Sequence, residues 1–350
     1  MELSRPSRSP ESSTRRRLPG LLAVLMASLP LAVSPQTAGV AAVPVSYDVA
    51  PDGHIPLATL REATLDVPAW PADDVQCTSG RLRFHDGSSP VPPHPVPDGQ
   101  PPYGDSVLIL GATYGDVDHD GADETVALLG CMIEGGSKQL VAYDRDRAGH
   151  IVPLGQVTVT TGPIRDIRDA SPRFSPAGVV TALVGDYQRC CADRTPQIWQ
   201  TRGYALRDGR FEQVSGPDRM PVNRHVTDLQ VTTGDLELGP ATGGYRTGGV
   251  DVTITHRHGA HPSKVTVWFY APPGLERTGP GWPPVITRPE SFGVTVAAPA
   301  AGGSVTHRFT FRQRATTAGS ELPVEIIPVP AMSPAVPWST SATVQIRTTH

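Results

Sequence analysis

Lysine is nearly missing from this chain. Only Lys138 and Lys264 occur in 350 residues, and Asn223 is the single asparagine. Aromatic residues are scarce at 6%, so any core must be built from small and branched aliphatic side chains. No apolar run reaches the roughly 20 residues that a membrane-spanning helix needs. The motifs of common enzyme classes are also missing: there is no G-x-S-x-G elbow, no H-E-x-x-H, no phosphate-binding glycine loop and no dinucleotide fingerprint. Glycoside hydrolysis stays open, because the separation of two carboxylates that defines it is not a property of sequence.

Basic charge is therefore carried by arginine, a usage typical of GC-rich genomes of actinobacterial type. The net charge is −4, and the first 42 residues hold five arginines against Glu2 and Glu11, so the remainder stands at −7. That balance excludes the electrostatic footprint of a nucleic-acid or anionic-membrane binder. Glycine (35) and proline (38) make up about a fifth of the chain, which disfavours long helices and favours short strands joined by turns.

The N-terminus reads as an export signal. Arg5, Arg8 and Arg15-Arg16-Arg17 form a positive region, Leu18 to Val33 an apolar one broken by Pro19 and Pro30, and Val40-Ala41-Ala42 fits a cleavage site. A retained anchor is the alternative, and Arg15-Arg16 faintly resembles a twin-arginine signal. With no cysteine near the cleavage region and no apolar tail at the C-terminus, the expectation is a secreted protein, released or held non-covalently at the envelope. The organisation expected is a signal peptide over 1–42, a β-rich domain over 43–220 and a β-sandwich over 221–350.

The four cysteines, Cys77, Cys131, Cys190 and Cys191, read as disulfides in an exported chain. Adjacent Cys190 and Cys191 either bond to each other, leaving Cys77–Cys131, or reach separately to the other two; the first pattern is preferred. Two adjacent thiols lack the C-x-x-C spacing that zinc prefers.

Two stretches of the first domain look alike. Thr125-Val-Ala-Leu-Leu-Gly130, a cysteine-bearing loop, Leu140–Tyr143, a turn at Gly149 and Ile151–Leu154 are echoed by Val180–Gly185, a second cysteine-bearing loop, Thr201–Tyr204, the turn Asp208-Gly209 and Arg210–Val214. Each unit reads as strand, loop and hairpin. Two copies are too few for a propeller. The expectation is a small, disulfide-stapled all-β domain with a two-fold internal repeat. Seven prolines between Pro90 and Pro102 precede it and read as a stiff surface loop.

The sharpest motif is Gly115-Asp-Val-Asp-His-Asp-Gly-Ala-Asp-Glu124, just ahead of the apolar run Thr125–Leu129. Asp116, Asp118 and Asp120 would supply the hard oxygens calcium prefers, Gly121 the sharp turn, the Ala122 carbonyl a further ligand, and Glu124 the closing carboxylate. Position twelve of an EF-hand would be Ala127, which cannot ligate. The loop resembles instead that of integrin-type FG-GAP repeats, D-x-D-x-D-G-x-x-[DE] before a strand. The resemblance covers about fifteen residues in one copy, and it implies a local calcium loop of structural role rather than a whole fold. In the second unit the matching place, Asp166-Ile-Arg-Asp169, has only two carboxylates, so a second site is doubtful.

From Val222 onward the pattern alternates. Strands are expected over Val226–Thr232, Gly249–Thr255, Lys264–Tyr270, Phe292–Val296, Val305–Arg312, Pro323–Val329 and Ala342–Thr348, as in an immunoglobulin-like sandwich without a disulfide. Asp251–Thr255, Lys264–Trp268, Pro272-Pro-Gly-Leu275, Trp282 and Ala301-Gly-Gly-Ser304 before Val305–Phe311 resemble a bacterial cell-surface repeat family of unknown function, whose members are spacers and display modules. The departure is His256-Arg-His258-Gly259, where the family has an asparagine-containing turn. His256, His258 and His261 there read as a polar hairpin tip, with a transition-metal site as the alternative.

The function expected is a non-catalytic, calcium-stabilised exported protein that binds or displays, its ligand an envelope polymer, a glycan or another protein. The alternatives are a secreted hydrolase with an unrecognised site and a purely structural envelope spacer. A glycan binder should expose aromatics, with Trp199, Tyr187 and Tyr204 as candidates in the first domain.

Overall fold

The run Thr125–Leu129 offers no polar alternation, and a strand of that kind must be covered on both faces. The computed structural model bears this out. It describes residues 52–71, 77–91, 106–131, 136–190, 192–317 and 321–349, which lie in one compact unit, Val49–His350. The export signal read over 1–42, most of the proline-rich stretch and Cys191 lie outside the described residues.

The described chain is all-β apart from one helical turn, α1 (Leu57–Leu60), and a 3-10 turn at Pro337–Thr340. It opens with α1 and the paired strands β1 (Thr64–Val67) and β2 (Gly80–Arg83). β3 (Ser88–Pro90), β4 (Ser106–Gly115), β5 (Glu124–Cys131), β6 (Lys138–Arg145) and β7 (Ile151–Val159) form an antiparallel meander in that order. β8 (Asp166–Ile167), β9 (Arg173–Phe174), β10 (Val180–Gly185), β11 (Trp199–Arg207) and β12 (Arg210–Ser215) form a second, with β10 between β11 and the short pair β8 and β9.

The two meanders are the two expected units. In each, a strand is followed by a loop and a hairpin: β5 then β6–β7, and β10 then β11–β12. The turn Asp208-Gly209 has φ of 49° and 74°, the left-handed pair a tight hairpin requires. The first meander is the central layer. One face carries Ala127, Leu129, Val141 and Tyr143 against Ile55, Leu60, Leu65 and Phe84 of the opening segment. The other carries Val126, Leu128, Leu140 and Ala142 against Ile167, Val180, Ala182 and Val184 of the second meander. All eight residues of β5 are buried.

The sandwich that follows contains β13 (Val226–Thr233), β14 (Leu236–Leu238), β15 (Tyr245–Gly259), β16 (Lys264–Phe269), β17 (Leu275–Arg277), β18 (Val285–Arg288), β19 (Ser291–Ala297), β20 (Ser304–Arg314), β21 (Glu321–Val329), β22 (Ser333–Pro334) and β23 (Ser341–Thr348). One layer holds β13, β14, β15, β20 and β17, the other β18, β19, β16, β21 and β23, and a parallel pairing of β14 with β23 joins them. All seven expected strands are present. Between the layers lie Val250, Val252, Val265, Val267, Phe309 and Phe311, with Phe269 and Trp282 closing one end edge to face at 5.8 Å.

The histidine turn differs from its expectation. β15 continues through His256 to Gly259, and the His256 ring is buried at 3% exposure rather than standing at a polar tip. Its Nδ1 accepts the Gly302 N–H at 3.2 Å, and its Nε2 donates to the Ala260 carbonyl at 3.2 Å, so neither nitrogen is available to a metal. His258 instead faces buried Asp228, which also holds Arg257. Burial lowers the His256 pKa from its ordinary value, and the nearby charges of His261 and His258 act the same way, against Asp228 and the Ala260 hydrogen bond.

Cys77 and Cys131 are bonded, tying the opening segment to the end of β5 across 54 residues, and Cys190 is also disulfide-bonded. Replacing Cys77 and Cys131 together by serine should lower unfolding stability by about 4 kcal/mol, by loop-closure entropy, in a denaturant titration. His256 takes up its proton more readily unfolded than folded. Its contribution is therefore intact above about pH 6.5 and is lost as pH falls below that value, at no more than about 1.4 kcal/mol per pH unit. The fall in melting temperature between pH 7 and pH 5 should be shallower in His256→Gln; an unchanged slope refutes the assignment.

Candidate metal centre

The acidic loop connects β4 to β5 at the edge of the double-sided core. Gly121 sits at φ 91° and lets the chain turn back after Asp120. Asp116, Asp118 and Asp120 each offer an oxygen, and these atoms all lie within 4.8 Å of one another. Two ligands on opposite sides of a calcium ion, each at about 2.4 Å, are separated by about 4.8 Å, so the three fit one ion. Asp116 is half-buried, while Asp118 and Asp120 are exposed. The loop's own backbone steadies them: Gly121 N–H donates to Asp116 Oδ2 (3.3 Å), Asp120 N–H to Asp118 Oδ1 (3.1 Å), and Ala122 N–H to Asp120 Oδ1 (2.8 Å). Asp116 Oδ1 is buried with no partner among the described residues.

Glu124 stands apart from this triad. As the first residue of β5 it is fully buried, at 0% exposure. Its Oε2 accepts the Val117 N–H at 2.6 Å, so the carboxylate lies against the loop between Asp116 and Asp118. Its Oε1 has no partner among the described residues. Burial pushes its pKa up to about 7, partly opposed by the Val117 hydrogen bond, and Asp118, Asp144 and Asp120 push it further. An unpaired buried carboxylate of this kind is costly unless a cation or a proton meets it. Asp116, Asp118 and Asp120 therefore fit a hard divalent cation, which they would hold between them; Glu124 lies outside that three-residue group and is bonded to the same loop at Val117.

Asp144 escaped the sequence reading because it lies on β6, twenty residues beyond Glu124. Burial raises its pKa, the Arg145 N–H opposes this, and Asp118 and Asp120 push it upward again. Only the β5–β6 register, which sets Tyr143 opposite Thr125, brings it to the loop.

The matching place in the second unit is filled differently. Lys138 Nζ lies 2.9 Å from Asp166 and 2.6 Å from Asp169, and donates to the Ile167 carbonyl at 3.1 Å. One of the chain's two lysines thus supplies the positive charge at the two-carboxylate site.

The aromatic candidates for glycan contact do not form a platform. Tyr187 and Tyr204 are buried, and Trp199 is half-buried beneath Arg168, whose guanidinium lies 5.6 Å from the ring centre. A concavity of about 530 Å³ lies at the end of the sandwich, with Leu275, Glu276, Arg277, Trp282 and Phe292 in its wall. A smaller one of about 150 Å³ holds Arg165, Asp186, Asp228 and His258 where the second meander meets the sandwich.

No family model matches the chain, and no curated protein matches it. Among solved structures it is similar to a non-cellulosomal cohesin from the hyperthermophilic archaeon Archaeoglobus fulgidus, at 13% identity, covering 35% of this chain and 86% of that one. The TM-score is 0.22, and nothing is carried over from it.

Proposed function

We propose that this protein is an exported, non-catalytic binding or display protein whose first β domain is stabilised by calcium. The observation that carries the calcium reading is the convergence of three aspartates on a loop that also binds the buried Glu124, whose Oε1 has no partner among the described residues. An FG-GAP-like loop ahead of a buried strand supports a structural rather than a catalytic ion. Export is supported by the N-terminal signal pattern and by a disulfide, which persists in oxidising compartments. No helix of the described residues is long and apolar enough to cross a membrane. The sandwich, with its likeness to surface repeats, is the display module, and the concavity beside Trp282 and Phe292 is its candidate contact for an envelope polymer, glycan or protein.

Calcium at about 100 times its dissociation constant should raise the melting temperature of the purified protein by roughly 5 °C, reversibly on chelation. Asp118→Ala should lose that response; equal melting curves with calcium and with chelator refute the calcium reading. The binding half is tested separately by sedimentation with insoluble cell-wall polymer. The protein is expected in the pellet, and Trp282→Ala in the supernatant. Parent protein left wholly in the supernatant refutes wall binding.

A further inference from the structure

The stretch 52–60 packs against the metal centre, and beyond the buried side chains of Ile55 and Leu60 it has few backbone hydrogen bonds to hold it. Its peptide at Gly53 is wedged beside the loop: a Cβ there would lie 2.5 Å from Asp144 Oδ1 and 2.9 Å from the Asp123 carbonyl. Thr125, the residue after Glu124, donates its hydroxyl to the Gly53 carbonyl at 2.8 Å and accepts the Ile55 N–H at 2.7 Å. His54 stacks on Tyr114 of β4 with ring centres 4.0 Å apart. Ile55 and Leu60 are fully buried and form part of the cover over β5. Yet residues 52–56 lie in no strand, and α1 is a single turn. A segment with so few backbone hydrogen bonds is the part of a fold that opens first.

We propose that the cation is a clamp on this segment: loading the Asp116–Asp118–Asp120 loop relieves the charge crowded beside Asp144 of β6 and holds residues 52–60 down on β5. The inference rests on the calcium reading above and adds to it a defined responding element. Without the ion, Asp116, Asp118, Asp120, Glu124 and Asp144 crowd like charges around one loop. The repulsion falls on the Asp144 carboxylate against which the Gly53 peptide is seated. With the ion, Asp144 and Asp123 form a fixed floor for Gly53, and Thr125 is held where it bonds both sides of His54. The coupling is reciprocal: whatever lifts residues 52–60 must weaken the ion. The same loop also touches the second meander, since a Cβ at Gly178 would lie 2.6 Å from the His119 ring and 2.9 Å from the Asp116 carbonyl. That hairpin, however, is paired to β10 and is not expected to open.

The test is hydrogen exchange on the purified protein in calcium chloride and in chelator, with calorimetric titration of calcium on the same sample. Exchange at residues 52–60 should slow by about tenfold or more on loading, while β16 in the sandwich stays unchanged. Gly53→Ala, which places a methyl on the Asp144 carboxylate, should weaken calcium by about tenfold. Calcium that binds calorimetrically but leaves exchange at 52–60 unaltered overturns the clamp and leaves the metal centre standing. No binding heat and no thermal shift overturns both. Should Gly53→Ala fail to fold, the exchange measurement on the parent protein decides alone.

Discussion

A strand covered on both faces has no solvated side, so whatever side chain begins it is carried into the interior. β5 does this to Glu124. Its neighbours Val126 and Leu128 fill one core and Ala127 and Leu129 the other, which leaves the carboxylate no route outward. Such a group can be relieved in three ways: by a backbone donor, by a proton, or by a cation. The Val117 N–H supplies the first for one oxygen, and a pKa near 7 brings the second within reach. The third, on the proposed calcium reading, would account for the three further carboxylates that the loop bonded to Glu124 carries.

The comparison between the two meanders sharpens this. Both place acidic side chains where a loop meets a sheet. In the second, Lys138 reaches from β6 into Asp166 and Asp169, and the charge is balanced within the chain. In the first, the hydrogen bonds to the aspartates come from the loop's own backbone. Each pair of carboxylates there, at separations under 4.8 Å, repels by about 1 kcal/mol even at the dielectric of water, and by more where burial lowers it. One acidic corner is thus neutralised by a lysine of the chain, and neutralising the other would take a cation from solution.

How much of this was legible beforehand follows the range of the interactions. The β5 run, the alternation of the seven sandwich strands and the Asp208-Gly209 turn are local signals, and all became the elements they promised. The strands that escaped, such as β14, β17 and β22, are two or three residues long and exist only because a longer neighbour offers a free edge. The opening segment with α1 and β1 escaped because nothing in its own sequence announces that it covers a sheet. Asp116, Asp118 and Asp120 were readable from their spacing. Asp144 and Lys138 were not, since both reach their partners through strand register. His256 was misjudged for the same reason: its polar neighbours suggested a tip, but β13 and the Gly302 turn close over it.

The chemistry of the donors limits which ion the loop could take. Every group offered is a hard oxygen: His119 is turned toward Gly178, and Cys77 and Cys131 are bonded to each other. Three to five carboxylates without a phosphate suit calcium better than magnesium, which keeps its waters and takes one or two. Asp118 and Asp120 are exposed, so the ion would exchange with solvent, and assembling the like charges weakens its hold.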